Sequence, residues 1–410
     1  MASEFRSVDG LRDALAAASF DRPPAIVCNA HVTGLSVARA LSAHDVPVVA
    51  IDRNGRGVAP YSDAVDFAGR VTYPLDDRDG FREDVEALAA ETGHEPVAFG
   101  CMDEWVHAFA GADPEGVRLP FAGQETVDAV LDKESLYATA EELGVPYPET
   151  YRLSETDPDD AADALGFPLI VKPARKREFE EAVGTNVIEV ADREELHDVA
   201  AMAREHGIRV MAQEKVPVVT GEDRSLASYV PRDGDPVTFV GNARVRYPRA
   251  FGTSCLVRRT ETPEVRERAL AVLEETGYYG ISEAEFVYDG DREEYVLLDV
   301  NTRPWKWISL PVAAGADLPW AAYAEAVGET FRTGQPRDAT WVYLADYLRL
   351  LASDAGFSDV LGQAEWQSLL SGAFETEAGL TTGVYRPSDP GPAYRLLRTE
   401  TGSAEYYCSC

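Results

Sequence analysis

The chain has 410 residues, of which 38 are lysine or arginine and 71 are aspartate or glutamate, so its formal net charge is −33. So acidic a composition argues against direct binding to nucleic acid or to an anionic membrane, because both require a basic face. The length predicts two or three domains, and a hydrophobic content of 45% is ample for their cores.

Lysine is scarce in this chain. Five of the 38 basic residues are lysines, and all five fall between residues 133 and 306: Lys133, Lys172, Lys176, Lys215 and Lys306. Arginine serves most surface ion pairs, whereas a compact ammonium suits a phosphate approached as a point charge. The lysines therefore mark candidate ligand contacts, with chance retention on the surface as the alternative. The acidic, lysine-poor composition also resembles that of halophilic proteins, in which molar salt screens self-repulsion.

The first residues show no basic segment followed by an apolar run, and no window reaches about 18 consecutive apolar residues. We therefore expect neither a signal peptide nor a transmembrane helix. The five cysteines are scattered and lack the paired spacing of a disulfide framework or a zinc site. Both observations favour a cytoplasmic protein with reduced thiols. These cysteines are Cys28, Cys101, Cys255, Cys408 and Cys410.

The N-terminal part has the pattern of a parallel sheet. Residues 25–29 predict a buried strand, residues 35–44 a helix and residues 47–52 a second strand, which is a βαβ unit. Asp52 ends the second strand, where NAD-binding folds keep a ribose acid, so a nicotinamide oxidoreductase is one hypothesis. The turn after the first strand has Gly34 in place of three glycines, which weighs against that hypothesis. A further strand and its flanking helices follow between residues 85 and 111.

A second segment begins near residue 126 and mixes helices with strands. Helices are predicted over 125–144, 192–207 and 263–277, and strands over 167–173, 209–217, 236–248, 281–289 and 293–301. The last two strands flank a turn at Gly290-Asp291 and predict a hairpin.

Three domains follow from this order of elements. They are a Rossmann-like domain over residues 1–125, an α+β domain over 126–330 with a lid at about 165–217, and an extension over 331–410. The extension has helical spacing but no recognisable motif, and its role is open.

The hairpin brings oxygen ligands together. Pairing about its turn places Glu285 opposite Asp299, and Asn301 lies on the same strand face as Asp299 because it is two residues further on. These hard oxygen ligands suit Mg²⁺ and a nucleotide phosphate, and soft ligands are absent. Solvated acids on a surface hairpin are the alternative. Most of the other residues of these strands are apolar, which favours a metal site over solvated acids.

The same segment resembles the C-terminal signature of ATP-grasp enzymes in the carboxylate–amine ligase branch. That signature is an EF strand followed by an E-x-N-x-R strand, and here EF at 285–286 is followed by DVNTR at 299–303. Asp299 replaces the usual glutamate, which keeps the charge and shortens the reach. The resemblance implies that Glu285, Asp299 and Asn301 hold Mg²⁺ (or Mn²⁺) on ATP. It also implies that Arg303 steadies the transferred phosphate.

Further segments resemble the nucleotide-binding parts of that family, in the family's order. Residues 131–150 and 167–173 correspond to the segments that supply two phosphate lysines, here Lys133 and Lys172, and we also assign Lys172 to catalysis. The segment AQEKVP resembles the hinge that clasps adenine. It implies contacts from Glu214, Lys215, Val216 and Pro217, followed by a ribose acid, for which Asp223 is the best match and Glu222 the runner-up.

The loop after Lys172 departs from the family's pattern. It is usually rich in glycine, so that its backbone covers the phosphates, but here it contains a single Gly184. The side chains of Arg175, Lys176 and Arg177 are candidates to replace those backbone contacts. A solvated basic patch is the alternative.

The resemblance implies a fold and an activity. The fold is α/β, with a Rossmann-like parallel sheet (the pre-ATP-grasp domain), an ATP-grasp α+β domain and a C-terminal helical extension. The activity is that of an ADP-forming ligase, which activates a carboxylate as an acyl phosphate for attack by an amine. A nucleotide-binding protein without turnover is a second hypothesis, because Asp299 and the glycine-poor loop weaken the match.

The implied partners are a small carboxylate and a small amine, without nucleic acid or membrane. A substrate carboxylate needs a cationic partner. Candidates are Arg244 and Arg246, which share one strand face, and Arg258. Solvated ion pairs are the alternative for all three arginines. Trp305 and Trp307 follow the predicted metal strand and are candidates for the wall of a substrate pocket, with core packing as the alternative for Trp307.

Overall fold

The computed structural model describes residues 5–249, 252–332, 334–377 and 379–401. These residues form one parallel sheet and two sheets of mainly antiparallel strands, with helices packed against them, which confirms the predicted α/β class. No helix in this part of the chain is both long and apolar enough to cross a membrane. Three of the cysteines are buried free thiols, whereas Cys408 and Cys410 lie outside the described residues.

The N-terminal part forms the predicted parallel sheet. Its elements are α1 (Val8–Ala16), β1 (Ala25–Cys28), α2 (Val32–Ser42), β2 (Val48–Asp52), β3 (Phe67–Arg70), α3 (Arg78–Glu91), β4 (Val97–Gly100) and α4 (Asp103–Ala112). The strands pair in parallel in the order β3-β2-β1-β4. Strands β1, β2 and β4 are buried along their whole length, as expected of a parallel sheet that is covered on both faces.

At the carboxyl edge of this sheet, the Asp52 side chain is hydrogen-bonded to the backbone of the protein. One Asp52 oxygen accepts a hydrogen bond from the Ala30 amide at 2.8 Å, and the other accepts one from Asn54 at 3.4 Å. A side chain at Gly34 would meet the Asn29 carbonyl oxygen at 2.1 Å. The carboxylate that the nicotinamide hypothesis assigned to a ribose therefore holds the turn after β1.

The segment predicted as one helix over 125–144 forms two helices, α5 (Gln124–Leu131) and α6 (Lys133–Leu143). Asp132 separates them with an extended backbone, and its side chain accepts a hydrogen bond from the Glu134 amide. A carboxylate at this position satisfies a free amide and favours a helix start. The interruption places Lys133 at the first position of α6.

A small antiparallel sheet follows. Its elements are β5 (Thr150–Arg152), α7 (Pro158–Leu165), β6 (Leu169–Pro173), α8 (Lys176–Val183), β7 (Ile188–Val190), α9 (Arg193–Glu205) and β8 (Val210–Glu214), with strand order β5-β8-β6-β7. The segment after Lys172, expected as a glycine-poor loop, contains the helix α8. This stretch lacks the glycines of a phosphate loop and contains residues that favour helices, which explains the difference.

The next segment forms most of a large sheet. Its elements are β9 (Arg224–Val230), β10 (Val237–Tyr247), β11 (Thr253–Arg259), α10 (Pro263–Glu275), β12 (Gly280–Asp289), β13 (Glu294–Asn301), α11 (Ser309–Ala314) and α12 (Leu318–Val327). Strands β12 and β13 form the predicted hairpin.

The C-terminal segment does more than add helices. Its elements are β14 (Thr340–Val342), α13 (Leu344–Ser353), α14 (Gln363–Ser371), β15 (Leu380–Thr382) and α15 (Gly391–Thr401). Its two strands extend the large sheet, whose order is β13-β12-β9-β10-β11-β14-β15. Asp389 also accepts hydrogen bonds from Arg39 at 2.8 and 3.1 Å, which ties this segment to α2.

Candidate active site

A cavity of about 820 Å³ lies between the small sheet and the large sheet. All five lysines of the chain line it. Its wall also contains most of the other predicted site residues, namely Glu214, Val216, Pro217, Asp223, Arg244, Arg246, Glu285, Asp299, Asn301 and Arg303. The structure therefore brings together residues that are up to 173 positions apart in the sequence, while their individual roles stay predictions.

The cavity wall is basic although the chain is acidic. Nine lysine and arginine side chains line it, against five acidic ones. The basic residues are Lys133, Lys172, Lys176, Lys215, Lys306, Arg244, Arg246, Arg249 and Arg303, and the acidic residues are Glu214, Asp223, Glu283, Glu285 and Asp299. Such a wall inside a protein of charge −33 favours anionic ligands.

The hairpin has the predicted register. Glu285 lies opposite Asp299, Glu283 lies opposite Asn301, and a register shift follows Glu285. Glu283 is a cavity residue that the sequence analysis missed. The signal was available, because Glu283 lies two positions before Glu285 and so shares its strand face.

Asn301 connects the two glutamates. Its side-chain amide group donates hydrogen bonds to Glu283 and Glu285, each at 3.1 Å, and its side-chain oxygen accepts one from Arg303 at 3.2 Å. Burial and the neighbouring charge of Glu285 raise the pKa of Glu283 to about 8, although Arg303 opposes this shift. The polar face of the hairpin is thus a continuous hydrogen-bonded group within the cavity wall.

Lys133 neutralises the charge of Asp299, the acidic residue on the second strand of the hairpin. Its ammonium lies 2.7 Å from an Asp299 oxygen, and both side chains are largely buried. Burial opposes ionisation of Asp299, but Lys133 and the more distant Lys176 and Lys172 lower the pKa of this carboxyl below its usual value. The helix break at Asp132 sets this pair, because it presents Lys133 from the first turn of α6.

Lys172 lies on β6 and faces the same cavity. Burial, together with the positive charge of Lys133, lowers the pKa of Lys172 to about 8. Lys176, the first residue of α8, also lines the cavity. Arg175 is instead held outside it, 2.9 Å from Asp128. The side chain of Arg177 lies outside the described part of the structure.

The predicted hinge follows β8. The Val216 carbonyl accepts a hydrogen bond from the Val218 amide, and the Pro217 carbonyl accepts one from Gly290. Among the described residues, no protein group accepts the Val216 N–H. Pro217 lacks an N–H, so the Val216 N–H is a backbone donor left for a ligand. Glu214 and Lys215 point their side chains to Arg292 at 2.6 Å and to Glu189 at 2.6 Å, respectively.

Arg246 bridges two predicted site acids. Its guanidinium lies 2.6 Å from Asp223 and 3.3 Å from Glu285. Burial raises the pKa of Asp223, and Arg246 opposes that shift. Arg244 lines the same cavity and donates a long hydrogen bond of 3.4 Å to the Gly221 carbonyl.

Arg303 is buried and anchored to the N-terminal part of the chain. Its guanidinium donates hydrogen bonds to Asp103 at the start of α4 and to the Pro304 carbonyl at 3.0 Å. Asp103 counteracts the effect of burial and raises the pKa of Arg303. Asp103 is a second residue that the sequence analysis missed, and no local pattern marks it because it lies 200 positions from its partner.

Arg258, predicted as a substrate contact, lies away from the other predicted site residues. Arg258 is absent from the cavity wall, and its guanidinium donates to the Val360 carbonyl at 2.6 Å and to Glu365 at 3.0 Å. These acceptors belong to the C-terminal segment, whose position the sequence did not predict. Arg258 therefore holds that segment against β11.

Comparison with known proteins identifies relatives of this chain, although no family model matches it. A D-alanine–D-alanine ligase from Acidiphilium cryptum is 28% identical over 202 residues, which span 47% of this chain and 63% of that protein. A D-alanine–D-alanine ligase from Dechloromonas aromatica is 24% identical over 294 residues, which span 66% of this chain and 85% of that protein.

A solved structure shares the fold. N5-carboxyaminoimidazole synthetase from Staphylococcus aureus, complexed with ADP, superposes with a TM-score of 0.63 at 15% identity, covering 83% of this chain and 87% of that one. The three-sheet architecture, the register of the hairpin and these likenesses agree with one another. The chain is thus similar in sequence to D-alanine–D-alanine ligases and in fold to this synthetase, in line with its resemblance to ATP-grasp carboxylate–amine ligases.

Proposed function

We propose that this protein is an ATP-dependent, ADP-forming ligase that activates a carboxylate as an acyl phosphate for attack by an amine. One observation carries the proposal: all five lysines and the oxygen ligands of the hairpin line a single cavity. The relatives named as D-alanine–D-alanine ligases support the same reaction class.

In this proposal the nucleotide lies between the two sheets. The Val216 N–H binds the adenine edge, and neighbouring backbone groups of Glu214, Lys215 and Pro217 line the base. Asp223 takes the ribose. Lys133 and Lys172 contact the phosphates, where a point charge is effective. The ADP complex of the Staphylococcus aureus synthetase supports an adenine nucleotide in this fold.

The hairpin is suited to Mg²⁺, with Mn²⁺ as a substitute. Glu285, Asp299 and Asn301 offer hard oxygen donors, and Glu283 adds a fourth side chain on the same face. Among the described residues, no group of three or more His, Cys, Asp or Glu side chains is arranged to hold a metal ion. Asn301 presents its NH₂ group to the glutamates, and a half-turn of this amide would present its oxygen instead. When bound, Mg²⁺ supplies positive charge to the triphosphate.

The chain's own residues would then position the reacting groups. Arg303, fixed by Asp103, holds the transferred phosphoryl group, and Arg246 orients the substrate carboxylate with Arg244 nearby. Lys172 neutralises charge that develops on the phosphate oxygens. Catalysis of this kind depends mainly on orientation and electrostatic stabilisation.

A screen for ADP release tests the proposal. Purified protein is incubated with Mg-ATP in molar KCl, and ADP is measured with pairs of small carboxylates and amines, including amino acids. We expect ADP release that requires both a carboxylate and an amine. ATP binding without ADP release in the presence of both substrates would favour the second hypothesis, a nucleotide-binding protein without turnover. No specific observation favours that hypothesis.

We also propose that the protein is adapted to high salt, is cytoplasmic and acts on small molecules without nucleic acid or membrane partners. The support is the net charge of −33 together with the scarcity of lysine. At about 1 M salt the Debye length is roughly 3 Å, so like-charge repulsion is largely screened. The melting temperature should therefore rise steeply from tens of millimolar to molar KCl, and a flat profile would refute the halophilic adaptation.

A further inference from the structure

One part of the cavity wall serves no purpose in the reaction as proposed so far. Trp305 and Lys306 follow Arg303 directly in the chain, and both line the cavity together with Phe357 from the C-terminal segment. Neither Trp305 nor Lys306 has a hydrogen bond or ion pair with the hairpin carboxylates within the described residues. This part of the wall therefore needs its own explanation.

Trp305 has an unsatisfied donor at the cavity. The residue is 3% exposed, and its indole N–H is buried without an acceptor among the described residues. Leaving a buried donor unpaired is costly, and most such groups in native proteins have a partner. Because Trp305 lines the cavity, an acceptor atom of a bound ligand would complete it.

Lys306 brings positive charge to the same place. Its ammonium donates to Asp346 at 2.8 Å and to Thr253 at 3.0 Å, and it lies 4.2 Å from the centre of the Tyr343 ring. Asp346 is shared with Arg349 at 3.4 Å, so two cations face one carboxylate. The C-terminal helix α13 thus fixes Lys306 in the wall while leaving an excess of positive charge there.

Two groups of donors in the cavity wall therefore differ in their protein partners. Arg246 and Arg303 contact the hairpin through Glu285 and Asn301, where the activated carboxylate belongs in the proposed reaction. Trp305 and Lys306 form the second group, and their protein partners come from β11 and from the C-terminal segment. A substrate with one anionic group would satisfy only the first.

We propose that Trp305 and Lys306 form a second acceptor subsite, and that the carboxylate substrate is a dicarboxylate such as an acidic amino acid. This inference rests on the proposed ligase function and names its substrate class. The Trp305 indole N–H and the Lys306 ammonium bind the carboxylate that is not phosphorylated. Asp346 is a positioning residue, because it acts through Lys306.

Binding of matched compounds tests the subsite. Calorimetry on the full chain with saturating Mg-ADP in molar KCl compares succinate with propionate, and D- and L-aspartate with D- and L-alanine. We expect at least one dicarboxylate to bind about tenfold more tightly than its monocarboxylate partner, as expected for a charge-assisted contact. Trp305→Phe and Lys306→Met should each bring that ratio close to one.

Trp341→Phe is the matched control. Trp341 also has a buried indole N–H without an acceptor among the described residues, but it lies on β14 and is absent from the cavity wall. The Trp341→Phe variant should keep the wild-type ratio of affinities. If the loss of any buried indole lowered that ratio, this variant would lower it as much as Trp305→Phe does. Asp346→Asn should raise KM for the dicarboxylate and leave KM for ATP within about twofold. An equal rise in both would assign Asp346 a merely structural role and contradict its positioning role.

The outcomes separate the two proposals. Equal affinities for both members of each pair, or a ratio that survives in both cavity variants, would overturn the subsite. ADP release stimulated by monocarboxylates alone would overturn the subsite and keep the ligase. Absence of both binding and ADP release with every compound would overturn both.

Discussion

The two ends of the motif that runs from Asp299 to Lys306 differ in what holds them. Asp299, Asn301 and Arg303 are held mainly by the hairpin, by Lys133 and by α4, and a recognisable sequence signature covers them. Lys306 is held by β11 and the C-terminal segment, and no recognised signature covers it or its neighbour Trp305. The first end lies in the proposed nucleotide site, whereas the second end lies beyond the sequence signature and borders the C-terminal segment. We infer that the shared chemistry and the choice of substrate are encoded in separate parts of the molecule.

The largest effect should come from the hairpin. Asp299→Asn removes a charge that pairs with Lys133, and Asn301→Ala removes the link between Glu283 and Glu285. We expect either change to lower kcat for ADP release by about a thousandfold or more, the scale of losing a preorganised electrostatic contact. Melting temperatures measured alongside separate this effect from unfolding. Activity within tenfold of wild type would contradict the assigned role of the hairpin.

Lys172 should affect nucleotide binding. Lys172→Met should weaken ATP binding by about 1.5–3 kcal/mol, the usual contribution of a hydrogen bond to a charged group. Lys172→Arg should also be impaired, because a planar guanidinium does not replace a point charge. Calorimetric titration with Mg-ATP measures both. Wild-type affinity in the arginine variant would show that lysine was retained at this position for another reason.

The pH dependence of ATP binding should follow the protonation state of Lys172. Burial lowers the pKa of Lys172 to about 8, so the ammonium loses its proton as the pH rises through that value. A bound triphosphate favours the charged form, so binding near pH 8 should take up a proton. Above that pH the affinity should fall by up to about tenfold per pH unit.

Titrations in two buffers of different ionisation enthalpy measure this proton uptake. The Lys172→Arg variant is the control, since arginine keeps its charge throughout this range. Constant wild-type affinity between pH 7 and 9.5, without proton uptake, would disprove the link to Lys172.

The smallest effect should come from Arg258, which the sequence analysis grouped with Arg246 as a candidate substrate contact. Arg258→Ala removes hydrogen bonds to Val360 and Glu365 outside the cavity, so it should lower the free energy of unfolding by about 1 kcal/mol. Arg246→Ala should instead impair turnover, because Arg246 contacts Asp223 and Glu285 in the cavity wall. Denaturant unfolding and ADP release measured on both variants check this contrast. Loss of turnover in the Arg258 variant at unchanged stability would return that residue to the site.

Local rules were enough to predict the hairpin and the first sheet. The turn and the two-residue period of a strand fix which residues face Glu285, so the register followed from the sequence. The position of Arg258 outside the cavity wall was not predictable, because its acceptor Glu365 is 107 positions away and lies in a segment with no motif. The partners of Arg303 and Lys306 were missed for the same reason. Contacts between distant segments depend on how the sheets pack, and a single sequence carries no local signal for that packing.

The central claim is that the hairpin, together with Lys133 and Lys172, forms one metal-dependent ATP site. Calorimetric titration of the folded protein with ATP, in excess Mg²⁺ and again in EDTA, tests this claim most directly. The account predicts ATP binding with Mg²⁺ and its loss, or a reduction of at least about tenfold, in EDTA, since the hairpin carboxylates then face the phosphates without a cation between them. Equally tight ATP binding in EDTA would contradict it.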